Sequence, residues 1–226
     1  MSFLFFPTFV SRASAVAYAI TLTDSPVTDT NATTYTFSSV NLGAAASPRK
    51  IVIAFSARML TGASPGATSA TVGGNSCTQS VASPGSAGSD VTEQWYVDLD
   101  TGTSADIVIN MGSSMDAAGL TVWNMPGAAT GGPSDTLQAT GGTGSDASGN
   151  IDVPAGGGLI CFADTTGASK SFTWTNATER VDKHYDSQNA MSGTSDVFED
   201  AQSGRTITVD QGSTTVRMVC TSWAAA

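Results

Sequence analysis

The chain has 226 residues, with 19 acidic and 9 basic side chains, a formal charge of −10, and only 12% charged residues against 24 glycines. A phosphate-binding surface needs clustered Lys and Arg, and nine scattered basic residues exclude nucleic acid and an anionic membrane surface as expected partners. The length suits one large all-β unit, with two small sandwiches as the other possibility.

Residues 1–16 come first, and Phe3, Leu4, Phe5, Phe6, Phe9 and Val10 form an apolar cluster within them. Ala13-Ser14-Ala15 resembles a cleavage site. The preceding apolar run is short, is interrupted by Pro7 and lacks a basic start, so a signal peptide is the lesser reading. The cluster reads instead as an extended N-terminal arm whose aromatic side chains form a partner interface, with packing on its own domain as the other reading, because such a patch is a liability on a free surface.

From residue 17 onward, period-two alternation and β-branched runs dominate, with helical periodicity almost nowhere. Strands are predicted over 17–22, 33–42, 50–57, 70–72, 76–81, 91–98, 105–111 and 120–125, and then over 150–153, 158–163, 171–175, 180–185, 191–199, 205–209 and 216–223. Turn chemistry separates them, as at Gly73-Gly74, Ser83-Pro84-Gly85 and Gly156-Gly157-Gly158. Residues 51–55 and 159–163 are continuous apolar runs and are predicted to be central strands covered on both faces. Residues 130–149, rich in Gly, Ser, Thr and Asp, are predicted to form a long surface loop, with a linker between halves as the other reading. No clean internal repeat is visible. The fold expected over 17–226 is a single all-β, antiparallel, jelly-roll-like sandwich.

The sequence carries few residues suited to catalysis or metal binding. His184 is the only histidine, and catalysis there is not expected. Asp98, Asp100 and Asp106 are the best calcium candidates, but they lack the EF-hand order, and a turn explains them equally well. Cys77, Cys161 and Cys220 are far apart and odd in number, which predicts reduced thiols. Trp95, Trp123, Trp174 and Trp223 lie in or beside strands, and core packing is favoured over a carbohydrate platform. No catalytic residue, metal or cofactor is therefore expected, and the protein reads as a non-enzyme.

The strand grammar of residues 50–226 resembles that of virion structural proteins of tailed bacteriophages and related gene transfer agents. It is carried by Ala70-Thr71-Val72-Gly73-Gly74-Asn75, Ala105-Asp106-Ile107-Val108-Ile109 and Leu120-Thr121-Val122-Trp123-Asn124-Met125-Pro126-Gly127. The stretches 157–163 and 215–223 complete it. The resemblance implies a capsid decoration (cement), head spike or fibre protein. Such a protein would bind other virion proteins, the major capsid protein or neighbouring copies, as a homo-oligomer within an assembly. It would reside in the virion after assembly in the host cytoplasm. A carbohydrate-binding module or adhesin is the rival expectation.

Overall fold

The computed structural model describes residues 17–59, 62, 65–83, 90–166, 171–212 and 214–226. Among these residues there is no helix, and every strand pairing is antiparallel. The apolar cluster from Phe3 to Val10 lies outside the described residues.

The first ten strands are β1 (Thr21–Asp24), β2 (Val27–Thr28), β3 (Ala32–Asn41), β4 (Arg49–Arg58), β5 (Ala67–Val72), β6 (Asn75–Ser76), β7 (Thr78–Ser83), β8 (Val91–Asp98), β9 (Ser104–Met115) and β10 (Ala117–Pro126). They form two sheets, β1-β10-β4-β8-β7 with β2 on β10, and β3-β9-β5-β6. The remaining strands are β11 (Asp135–Gly141), β12 (Ala147–Val153), β13 (Gly158–Thr166), β14 (Thr173–Thr175), β15 (Glu179–His184), β16 (Asn189–Val197), β17 (Gln202–Asp210) and β18 (Val216–Trp223). They form β11-β18-β13-β16-β15 and β12-β17-β14.

The described residues thus carry four sheets in two sandwiches, where one sandwich was expected. The two are built alike. Counting the main strands of each from its own N-terminal end, and leaving aside β2 and β6, the larger sheet runs 1-8-3-6-5 and the smaller 2-7-4 in both. A jelly roll would place the fifth strand in the smaller sheet, beside the fourth; here it forms an edge of the larger one. A repeat is therefore present in topology although none is legible in the residues.

Alternation explains the layering. In β4, Ile51, Ile53 and Phe55 point into the core of the first sandwich, while Val52 and Ala54 point the other way. In β13, Leu159, Cys161 and Ala163 point into the second core, while Ile160 and Phe162 point away. The two larger sheets bury these outward residues against each other. Val52, Trp123 and Met125 meet Ile160 and Trp223, and Ala54 and Ala117 meet Phe162, Met191 and Val219. Both apolar runs are therefore central strands buried on both faces, as their sequence implies.

The long loop predicted over 130–149 is corrected. Residues 135–141 are β11, paired along its length with β18 from Asp135↔Ser222 to Gly141↔Val216. Its small polar residues suit an edge strand with one face toward solvent, and its side chains alternate half-buried and exposed.

Candidate functional site

The clearest concentration of polar chemistry lies inside the contact between the sandwiches. Ser56 on β4 and Asp164 on β13 are both turned toward the opposing sheet. Ser56 Oγ donates to Asp164 Oδ2 at 2.6 Å, and Thr92 Oγ1 on β8 donates to Asp164 Oδ1 at 2.7 Å. Tyr185, just after β15, brings its hydroxyl to 3.2 Å from Ser56 Oγ. Arg217 on β18 places Nη1 3.8 Å from Asp164 Oδ1 and 3.9 Å from Asp90 Oδ2. Asp90 and Asp164 are 0% exposed. Beside them, Arg58 Nη1 reaches Asp186 Oδ2 at 3.2 Å. Gln94 continues the row: Thr221 Oγ1 donates to its Oε1 at 2.6 Å, and its Nε2 donates to the carbonyls of Ile160 and Val219.

Burial shapes the charges. Loss of water raises Asp90 above the ordinary carboxylate range, and the neighbouring Asp164 carboxylate raises it further, against the opposing pull of Arg217. Asp164 is raised by the same desolvation and drawn back chiefly by Arg217. Tyr185 is held well above a normal phenol, first by burial and then by the two carboxylates. With both carboxylates fully buried, this cluster can hold a proton and lock two sheets together. It was not anticipated, although one signal was available: Asp164 and Arg217 are charged residues in strands that run beside apolar neighbours and are buried on both faces.

The anticipated residues fall elsewhere. Asp98 pairs with Lys50, whose ammonium lies 4.9 Å from the Tyr96 ring centroid and 5.3 Å from that of Trp223. Asp100 accepts from Ser47 Oγ at 2.6 Å and from the Arg49 amide, and Asp106 accepts from the Ser39 amide. These three carboxylates are thus engaged by the chain's own donors. No group of three or more His, Cys, Asp or Glu among the described residues could hold a metal ion. His184 is exposed on β15, an edge strand, opposite Ala190. Trp95, Trp123 and Trp223 are buried and Trp174 is half-buried.

The thiol expectation is corrected. Cys161 and Cys220 face each other across β13 and β18, with Cα atoms 4.0 Å apart, and form a disulfide; Cys77 is free. Sequence spacing could not reveal this, because strand pairing joins residues 59 apart.

No family model matches the chain, and no curated protein matches it. Among solved structures it is similar to an anti-sigma factor domain-containing protein at 10% identity, covering 85% of this chain and 79% of that one, with a TM-score of 0.24. A second, an anti-sigma factor domain-containing protein from Clostridium clariflavum, is 10% identical, with 95% and 88% covered and a TM-score of 0.22. Likenesses this slight carry no argument about fold or function.

Proposed function

We propose that the chain is a non-enzymatic structural protein of a phage-type virion, and specifically a capsid decoration protein that binds neighbouring shell subunits. The supporting observation is the use made of its large aromatic side chains. Trp95, Trp123 and Trp223 are spent on the cores and on the contact between the sandwiches. A glycan platform needs such rings in the open. A body of four stacked sheets joined through a buried polar and apolar contact resists shear between its layers, the property required of a bridge on a shell. The docking element in this reading is the apolar cluster Phe3, Leu4, Phe5, Phe6, Phe9 and Val10, with the major capsid protein or a neighbouring copy as its partner. The particle would be assembled in the host cytoplasm.

The test is to separate particles from soluble protein in the native source on a density gradient and to follow this chain. It is expected to travel with the particles, and a chain lacking residues 2–16 is expected to stay soluble with an unchanged melting temperature. Recovery of the full-length chain only in the soluble fraction, or its retention on immobilised polysaccharide, would overturn the reading in favour of a carbohydrate-binding module or adhesin.

A further inference from the structure

Asp90 immediately precedes β8. Neither of its carboxylate oxygens, both buried, has an N–H or O–H donor among the described residues. The group beside it is Asp164, itself an acceptor already taking hydrogen bonds from Ser56 and Thr92. Two ionised carboxylates cannot hydrogen-bond to each other; one proton between them turns one into a donor.

The charge count points the same way. Facing Asp90 are Asp164 from β13, Arg217 from β18, Arg58 from β4, and Tyr185 and Asp186 from the turn after β15. Arg58 is committed to Asp186 at 3.2 Å. Among the described residues, Arg217 is then the one cation left for two carboxylates, at 3.9 and 3.8 Å. An uncompensated charge in a dry contact is costly, and a group so placed takes up a proton instead.

We propose that Asp90 and Asp164 hold a single proton between them beside Arg217, and that losing it at alkaline pH loosens the contact between the two sandwiches. Asp90 belongs to the first sandwich, whereas Asp164 and Arg217 belong to the second, so the repulsion released acts across the contact. The sign follows from linkage. A proton held more tightly in the folded chain than in the unfolded one favours folding most at low pH. That advantage is lost as pH rises from the ordinary carboxyl pKa to the raised folded value.

The experiment is a carboxyl 13C titration of the intact chain, labelled at aspartate, together with amide hydrogen exchange. One aspartate is expected to titrate well above the ordinary range of about 3–5, and its signal should be absent in Asp90→Asn. Between about pH 6 and pH 9, after correction for intrinsic rate, amides of β8, β13 and β18 should exchange ~10-fold faster, while those of β9 and β17 hold steady. In Asp90→Asn the acceleration should disappear. If every aspartate titrates in the ordinary range, the shared proton is refuted, and this holds even if the variant fails to fold. Acceleration spread equally over β9 and β17, or unchanged in Asp90→Asn, would overturn the loosening at the contact.

Discussion

The three buried indoles satisfy their N–H groups by one local device. Trp95 Nε1 donates to Glu93 Oε2 at 2.7 Å, Trp123 Nε1 to Thr121 Oγ1 at 3.1 Å, and Trp223 Nε1 to Thr221 Oγ1 at 2.8 Å. On a strand, residues two apart share a face, so the partner sits beside the ring without any long-range arrangement. At Glu93 the device has an electrostatic consequence: burial raises the carboxyl, and the hydrogen bond from Trp95 draws it back. Thr221 has a second duty, donating to Gln94 Oε1 across the contact between the sandwiches. Thr221→Val keeps the shape and orphans both partners. An unsatisfied buried polar group costs about 1–3 kcal/mol, so with two orphaned the variant is expected to lose about 2–6 kcal/mol of stability in urea denaturation. A loss under about 0.5 kcal/mol, the usual range for surface substitutions, would show that the partners find substitutes.

At the scale of elements, β4 and β10 in the first sandwich correspond to β13 and β18 in the second. Ile53 faces Val122 in the first pair, and Cys161 faces Cys220 in the second. The disulfide thus cross-links the second pair, with both cysteines fully buried in the second core. Disulfides persist in oxidising surroundings; in the proposed function that means the released particle and not the reducing host cytoplasm. Glycines set how closely the two larger sheets approach. A Cβ on Gly119 would come within 2.6 Å of Met191 Sδ, and one on Gly193 within 2.9 Å of the Trp123 ring. Trp123 has little room to yield, being held by Thr121 and packed against Val52 and Ile160. Gly193→Ala is therefore expected to cost about 1–3 kcal/mol by overpacking, measured as a lower denaturant midpoint. An unchanged midpoint would show that β16 can retreat without penalty.

For the whole molecule, the decisive feature is that two sandwiches of the same strand order turn their larger sheets toward each other. Each therefore lends the other a face of its core: Val52, Trp123 and Met125 would be exposed on the first alone, and Ile160, Phe162 and Val219 on the second. Apolar burial of this kind contributes about 1.5–3 kcal/mol for each large side chain. The halves are thus expected to unfold together, in a single calorimetric transition whose van't Hoff and calorimetric enthalpies agree. Two resolved transitions would mean that each sandwich holds its fold with the shared face in water.

Alternation, turn residues and the two continuous apolar runs by themselves determined that the chain is all-β and antiparallel, and that 51–55 and 159–163 are covered on both sides. They also placed most of the tryptophans inside. These properties are local: period two assigns each side chain to a face, and a strand apolar on both faces must be covered on both. What covers the second face is not local; it is set when the two sandwiches pack together. The partner of Val52 is Ile160, that of Ser56 is Asp164, and that of Asp90 is Arg217, pairs that no spacing rule connects. The repeat was hidden for a related reason. A sheet keeps its strand order through backbone hydrogen bonds, which do not depend on side-chain identity, so one topology can be written twice in unlike residues. The loop-like composition of 135–141 misled in the same way: a small polar strand at a sheet edge is made a strand by the neighbour it pairs with, β18.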